Sequence, residues 1–191
     1  LRGKHLPEGG VSVRAAISDL CQKHGEHGSE EFKRFKFGEY GRSATAYQRL
    51  MRQDVARGAH PDSHRFAHHT KDIRDRFQTA IDENLSPTEY REKFGLSKSS
   101  TKRLIPESPT PTLTTLPDDY IHYCEPRILT VREYARIQSF PDDYQFQGKY
   151  TTGGKRRVLE VPRYSQIGNA IPPLFGELAG QVLMEMCDGR R

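Results

Sequence analysis

The segment RILTVREYARIQSFPDDYQFQG (Arg127–Gly148) carries the clearest structural signal in this 191-residue sequence. Thr130 and Glu133 have the spacing of a capping box, in which each side chain bonds to the backbone N–H of the other residue. The pattern predicts a helix that begins after Thr130 and runs to about Ser139. Phe140-Pro141 then ends it, because proline cannot continue a helix. Taken alone, the motif indicates a structural role, since capping boxes are common.

A second block, QIGNAIPP, runs from Gln166 to Pro173 and leads into the last helix. Proline is favoured in the first turn of a helix, so Pro172 and Pro173 mark its start. The helix then carries an apolar stripe spaced by four residues: Leu174, Leu178, Val182 and Met186. Little of the neighbouring sequence offers a surface to cover this stripe. We therefore predict that the helix packs against a partner or against a second copy of the chain.

Four further short helices are predicted upstream from apolar spacing and capping residues. The first runs over Val13–Leu20 after a Ser12 cap, and the second has Tyr47, Leu50, Met51 and Val55 on one face and ends at Gly58. The third runs over Thr70–Ile81. The fourth begins at the capping box Ser86-Pro87-Thr88-Glu89 and stops at Gly95. Between Ser97 and Tyr123 the Ser, Thr and Pro content favours extended segments and turns. Gly153 to Arg157 is typical of a basic hairpin.

Apolar residues are scarce for a self-sufficient core. The hydrophobic fraction is 34%, tryptophan is absent and the mean hydropathy is −0.81. This composition fits a surface that another part of a protein normally covers. Thirty Lys and Arg against 25 Asp and Glu give a net charge of +5, which suits a polyanionic partner, although an ordinary basic protein has the same balance.

Cys21, Cys124 and Cys187 are widely spaced and form no CxxC pair. This spacing predicts neither a disulfide framework nor a metal site, and it favours a reducing cytoplasm. The sequence contains no apolar run long enough for a bilayer and no signal-peptide core. Because the first residue is Leu1 rather than methionine, we expect truncation or processing upstream.

His60, His64 and His68 follow an i, i+4, i+8 spacing that metal ligands can share. Pro61 lies among them, and no cysteine or acidic helper stands in register. We interpret these histidines as solvated or phosphate-facing.

The two blocks quoted above resemble the last two sequence blocks of the DNA (cytosine-5) methyltransferase family, in the family's order. KRLIPESPTPTLTT (Lys102–Thr115) and YIHY (Tyr120–Tyr123) resemble the approach to the first of them, and VRAAISDL (Val13–Leu20) resembles what often follows the central catalytic blocks. The resemblance divides the chain into a variable, basic target-recognition region (1–125), a supporting helix and linker (126–164), and the final motif with the terminal helix (165–191).

The resemblance implies an enzyme of two parts. A large doubly wound α/β domain binds S-adenosylmethionine and carries the nucleophile, while a small domain reads duplex DNA in the major groove. This chain then belongs to the α+β class: a small irregular target-recognition domain with several short helices, plus a C-terminal helix that packs on a catalytic domain absent from this sequence.

The resemblance also assigns residues. Asn169 and Ala170 match positions that reach the cofactor. The helix after Thr130 matches one that supports the small domain against the large one, with Arg132, Glu133 and Arg136 at its polar positions. The full set of structural motif positions is Arg127, Thr130, Arg132, Glu133, Arg136, Gln166, Gly168 and Pro172.

The family's nucleophile is a cysteine in a Pro-Cys dipeptide, and this sequence contains no such dipeptide. A reactive thiolate needs a cationic or helix-start environment, and none of the three cysteines has the expected neighbours. We therefore expect no catalytic residue here, and no activity without the catalytic half, in the same polypeptide or in a separate subunit. The implied setting is a bacterial restriction-modification enzyme, cytoplasmic and associated with the nucleoid.

A different interpretation applies to Ser86–Leu104, which resembles a helix-turn-helix with Gly95 in the turn and a basic second helix. It makes the chain a non-enzymatic DNA-binding module, but it leaves Arg127 to Pro173 unexplained. Four basic clusters are solvated faces or, on the methyltransferase interpretation, partly phosphate contacts: Lys33–Lys36, Arg49–Arg57, Arg65–Arg76 and Lys155–Arg157.

Overall fold

Short capped helices and two small ribbons form the part of the chain that this computed structural model describes, residues 10–30, 32–97, 101–151 and 160–189. The helices are α1 (Val13–Ile17), α2 (Ala46–Met51), α3 (Lys71–Asp82), α4 (Pro87–Lys93), α5 (Val131–Ile137), α6 (Arg163–Gly168) and α7 (Pro173–Cys187). The strands are β1 (Glu26–His27), β2 (Phe37–Gly38), β3 (Lys102–Arg103) and β4 (Tyr120–Ile121). This small mixture of helices and strands agrees with the predicted α+β class. The predicted basic hairpin at 153–157 lies outside the described residues.

The predicted helix starts are confirmed. Both capping boxes are closed on the two sides, Ser86 with Glu89 at α4 and Thr130 with Glu133 at α5. Thr70 caps α3, and Ser12 caps α1 by accepting a hydrogen bond from the Ala15 backbone. Local polar side chains therefore fix where these helices begin.

Two predicted helix ends are wrong. The second helix stops at Met51, well before Gly58, because the Met51 carbonyl accepts a hydrogen bond from the Asp142 backbone outside the helix. Helix α5 ends at Ile137 rather than Ser139, since Ser139 takes a left-handed conformation with φ of 64°.

The two ribbons connect segments that are distant in sequence. Strands β1 and β2 are antiparallel, whereas β3 and β4 are parallel and pair Lys102 with Tyr120. Gly95 does form a left-handed turn after α4, with φ of 60°. Residues 101–104, however, are extended, so the basic second helix of the helix-turn-helix interpretation is not formed over the described part of that segment.

Two hydrophobic cores lie on either side of β4. The larger core gathers side chains of α1, α2, α5 and α6 together with Tyr120 and Leu129. The smaller core joins α3 and α4 to Ile121 and Ile128. Neighbouring residues of an extended segment point to opposite faces, which explains why Tyr120 and Ile121 enter different cores.

Helix α7 lies outside both cores. None of its residues is buried, and only Leu174 among its large apolar side chains packs on the larger core. The predicted apolar stripe is therefore uncovered in the described part of the chain. Within those same residues, no helix is long and apolar enough to cross a membrane.

Candidate functional site

The start of α5 is built around a buried ion pair. The Arg127 guanidinium donates from Nη1 to Glu133 Oε2 at 2.7 Å and from Nη2 to Oε1 at 2.6 Å. Glu133 Oε2 also accepts the Thr130 backbone N–H at 2.8 Å, as a capping box requires. Burial by itself raises the pKa of Glu133, but Arg127 outweighs that effect and lowers this pKa to about 2.

The two other arginines of α5 are interior cross-links. The sequence placed Arg132 and Arg136 at polar positions, yet both are fully buried. Arg136 donates to Asp142 Oδ1 at 2.8 Å, to Asp19 Oδ1 at 3.0 Å and to a carbonyl of α1. Arg132 donates to the carbonyls of Asp62, Pro141 and Tyr144. These arginines therefore hold loops around α5 and are not exposed at the surface.

His64 is part of the same network. Its Nδ1 lies 2.8 Å from Thr130 Oγ1, and its Nε2 lies 2.8 Å from the Leu20 carbonyl oxygen. Because the Leu20 carbonyl can only accept, Nε2 carries the proton of the neutral ring and donates to it, so Nδ1 accepts the Thr130 hydroxyl. Burial lowers the pKa of His64 to about 4.

The interpretation of the three spaced histidines as solvated is wrong for His64, and the three do not converge. His60 Nδ1 instead lies 2.7 Å from Glu39 Oε2. The second oxygen of the same carboxylate, Oε1, lies 2.7 Å from His27 Nδ1. His68 is exposed. A spacing of four residues brings side chains together only on a helix, and residues 60–68 are not helical.

A groove of about 580 Å³ opens beside the turn between α6 and α7. Three predicted motif residues line it, Gly168, Ala170 and Pro172, and the segment 109–113 forms another wall. The Ala170 carbonyl accepts a hydrogen bond from Gln138 Nε2 at 2.8 Å, which ties this turn to α5. Asn169 caps the end of α6 and is exposed.

Gly168 and Gln166 hold α6 in place. A Cβ atom at Gly168 would lie 2.3 Å from the Thr114 carbonyl oxygen, so only glycine permits this approach. Gln166 donates from Nε2 to the carbonyls of Gln147 and Val161, each at 3.0 Å. Both residues thus have structural roles next to the groove.

The outer face of α7 continues from this groove. Its exposed apolar side chains keep between 37% and 68% of their surface open to solvent, and they are Phe175, Leu178, Val182, Leu183, Met184 and Met186. A helix that is apolar on most sides is normally buried. The face is therefore suited to a protein partner.

Two of the three cysteines meet in space, which the sequence spacing did not reveal. Cys21 is buried and its Sγ lies 3.3 Å from Tyr123 Oη, while Cys124 Sγ lies 3.8 Å from His122 Nδ1. A hydrogen bond with Cys124, reinforced by burial, raises the pKa of Cys21, and the same contact lowers the pKa of Cys124 to about 7. Cys187 is exposed at the end of α7. Cys21 is about a hundred residues away in sequence from His122, Tyr123 and Cys124, so only the tertiary structure brings them together.

One basic residue, Arg65, makes cation–π contacts with aromatic rings. The Arg65 guanidinium carbon lies 3.7 Å from the Tyr150 ring centroid and 4.1 Å from that of Phe35. Lys33, Arg34 and Lys36, which flank Phe35 in sequence, are exposed. The predicted cluster at 155–157 lies outside the described residues.

A sequence model of the C-5 cytosine-specific DNA methylase family matches residues 20–184. The chain belongs to this family. Among its relatives is Type II methyltransferase M.AquIB of Picosynechococcus, 38% identical over 100 residues that make up 51% of this chain and 70% of that protein. Type II methyltransferase M.DdeI of Desulfomicrobium norvegicum is 47% identical over 76 residues, which are 39% of this chain but only 18% of the relative.

The fold of this chain has a solved counterpart. A crystal structure of a prophage-encoded DNA modification methyltransferase from E. coli superposes with a TM-score of 0.52 at 20% sequence identity. The match covers 91% of this chain and 47% of that one. At this identity the likeness establishes the fold alone, and the present chain spans about half of the solved protein.

Proposed function

We propose that this chain is the DNA-recognition and cofactor-pocket-closing part of a cytosine-5 DNA methyltransferase, which transfers a methyl group from S-adenosylmethionine to cytosine in duplex DNA. It is inactive until it joins the half of the enzyme that carries the nucleophile, in the same polypeptide or in a separate subunit. The observation that carries this proposal is the uncovered apolar face of α7 beside the groove.

The energetics of α7 support a catalytic-half partner. Each large apolar side chain stabilises an interface by about 1.5–3 kcal/mol when it is buried. Phe175, Leu178, Val182 and Met186 lie on one side of the helix at spacings of three and four residues. The base of α7 is anchored where the Leu174 backbone N–H donates to Ser139 Oγ at 3.1 Å. The rest of the face is available to the catalytic half or, in its absence, to a second copy.

The groove supports the cofactor assignment. Ala170 lines it, the exposed Asn169 is the next residue in sequence, and the segment 109–113 forms the facing wall. These residues fit one edge of an S-adenosylmethionine site, with Asn169 and Ala170 holding the cofactor. When bound, S-adenosylmethionine supplies an electrophilic methyl group. The hydrogen bond from Gln138 to the Ala170 carbonyl and the close packing of Gly168 fix the shape of this edge.

The cysteines support the assignment of the nucleophile to the other half. Methylation at carbon 5 of cytosine requires a thiolate to add at carbon 6 of an extruded base. Cys21 is buried and its raised pKa keeps it protonated, whereas Cys187 ends a helix whose environment is exposed. Cys124 is followed by Glu125 and lies beside Cys21 rather than in a Pro-Cys dipeptide. We therefore expect the Cys124→Ser variant, where it stays folded, to transfer methyl groups in the assembled enzyme.

The DNA-binding role rests on charge. The basic side chains of Lys33, Arg34 and Lys36 are exposed and can approach DNA phosphates. Such contacts make the affinity for DNA depend strongly on salt concentration. Binding by this chain alone is weak and largely independent of DNA sequence, because half of the clamp is missing. The protein acts in the bacterial cytoplasm, at the nucleoid, as part of a restriction-modification system.

The decisive experiment is complementation. The chain is purified alone and together with the nucleophile-bearing portion encoded by the same gene or its neighbour, and transfer of a labelled methyl group to duplex DNA is measured. We expect activity only in the mixture. Val182→Asp is expected to abolish complementation, while Gln181→Asp, which adds the same charge away from the stripe, retains it. Methyl transfer by the isolated chain, or equal effects of the two variants, would refute the proposal.

A further inference from the structure

Three potential metal ligands converge between α1 and α5. Cys21 follows the turn after α1, and His122 and Cys124 follow β4. One ligand atom from each residue, the two sulfurs and a ring nitrogen, lies within 4.8 Å of the other two. Cys21 and His122 are buried while Cys124 is exposed, so the group is reached from solvent on one side.

The spacing of these atoms suits a tetrahedral ion. Zinc binds thiolate sulfur at about 2.3 Å and imidazole nitrogen at about 2.0–2.1 Å, which places neighbouring donors about 3.6 Å apart. The distance from Cys124 Sγ to His122 Nδ1 is 3.8 Å. The Cys21 sulfur lies within 4.8 Å of the other two ligand atoms, so an ion requires the group to contract by at most about 1.2 Å.

The state of the His122 ring prepares it to act as a ligand. Its Nδ1 accepts the backbone N–H groups of Cys124 at 3.3 Å and of Glu125 at 3.2 Å, so this nitrogen carries the lone pair. Both bonds are long and therefore weak. A metal ion beside Cys124 can therefore displace these two hydrogen bonds and bind His122 Nδ1 at little cost.

The other nitrogen of His122 has the surroundings of a metal-bound histidine. Nε2 is buried, makes no hydrogen bond and lies 3.6 Å from Glu133 Oε1. Metal-binding histidines usually direct their second N–H at a carboxylate, which fixes the ring and makes the bound nitrogen more basic. Glu133 would serve this purpose while it keeps its bidentate pair with Arg127.

We propose that Cys21, His122 and Cys124 form a binding site for a thiophilic divalent cation of the zinc class, with water as the fourth ligand. The site is structural: it joins the segment after α1 to the segment that leads into α5, about a hundred residues away. The two thiols release their protons when the ion binds. This inference does not depend on the proposed methyltransferase role, because the ligands belong to the chain itself.

Cobalt(II) titration of the reduced, chelator-treated chain under anaerobic conditions tests the site. We expect one equivalent of cobalt(II) to produce a thiolate-to-metal charge-transfer band in the near ultraviolet, with intense visible bands of a tetrahedral ion, and zinc(II) to displace it. Cys21→Ser and Cys124→Ser should each lose the charge-transfer band. Cys187→Ser is the matched control and should keep it. Circular dichroism of the metal-free variants verifies that each is folded, and Cys124→Ser remains informative if Cys21→Ser does not fold, because Cys124 is exposed.

Several results would overturn this proposal. One is the absence of a charge-transfer band, and another is a band that persists in a folded Cys124→Ser variant. Cobalt bound without a thiolate band, and lost in Glu39→Gln, would place the ion at the His27, Glu39 and His60 group instead. A Cys21–Cys124 disulfide that forms on oxidation in a chain whose reduced form takes up no metal would assign the pair a redox role.

Discussion

Arg127 and Glu133 form a two-point ion pair that is closed off from solvent at the first turn of α5. The same carboxylate caps the helix backbone at Thr130. One side chain therefore closes the capping box and neutralises a buried guanidinium, so the helix start and the interior network cannot be separated.

Replacement of Glu133 by Gln is expected to destabilise the protein by about 3 kcal/mol, because the buried Arg127 guanidinium loses its bidentate carboxylate and keeps only Glu125 as a charged partner. Urea denaturation followed by circular dichroism measures the loss. Glu92→Gln is the control: this carboxylate is exposed and its ion pair with Arg91 contributes little. A loss below about 1 kcal/mol for Glu133→Gln would contradict the buried-pair description.

His64 makes stability depend on pH. Its folded pKa of about 4 lies below the ordinary value of 6.5, so the unfolded chain binds this proton more readily. The stability contributed by neutral His64 is fully present above pH 6.5 and is lost as the pH falls from 6.5 toward 4. The shift corresponds to about 3 kcal/mol. Urea midpoints measured across this window should fall less steeply in a His64→Gln variant, and parallel curves for the two proteins would count against the assignment.

Gly168 and Gly176 should respond oppositely to alanine. At Gly168 the new Cβ would meet the Thr114 carbonyl oxygen at 2.3 Å, and we expect destabilisation by about 1–3 kcal/mol. At Gly176, inside α7, no atom lies within 4 Å of the new Cβ. There alanine should stabilise the helix by up to about 1 kcal/mol, through its higher helix propensity. Thermal denaturation of both variants is the measurement, and a stable Gly168→Ala protein would show that α6 does not need this close approach.

Salt should weaken DNA binding. If Lys33, Arg34 and Lys36 contact phosphates, their combined replacement by Gln lowers the slope of log affinity against log salt by about 0.9 per lost contact. Fluorescence anisotropy with a labelled duplex gives this slope. Lys93→Gln is the control, since Lys93 already pairs with Glu83. An affinity that stays constant between low and moderate salt would argue against phosphate contacts altogether.

Local sequence was enough to predict the helix starts at Ser86 and Thr130, because the capping partners stand within one turn of each other. It missed the capping box between Thr45 and Gln48, although the same spacing was present. It did not predict where α2 ends, because the bond that Met51 makes comes from Asp142, far along the chain.

Long-range partners also explain what the sequence could not indicate at the site. Charged residues on a helix are normally exposed, and the burial of Arg136 depends on Asp19 and Asp142, which converge only in the folded chain. Lys102 and Arg103 would suit a helix by charge, but pairing with β4 holds them extended. The assignment of Asn169 and Ala170 to the cofactor remains a prediction; the structure adds that Ala170 lines the groove and that Asn169 is exposed next to it in sequence.

The alternation of Tyr120 and Ile121 between two cores has a consequence for how the molecule opens. The buried Arg132 and Arg136 bond to partners outside the smaller core, so α3 and α4 can separate while those bonds persist, and the chain should contain two cooperative units of unequal strength. Amide hydrogens of α3 and α4 should then exchange with solvent through a partial opening, while those of α5 wait for global unfolding.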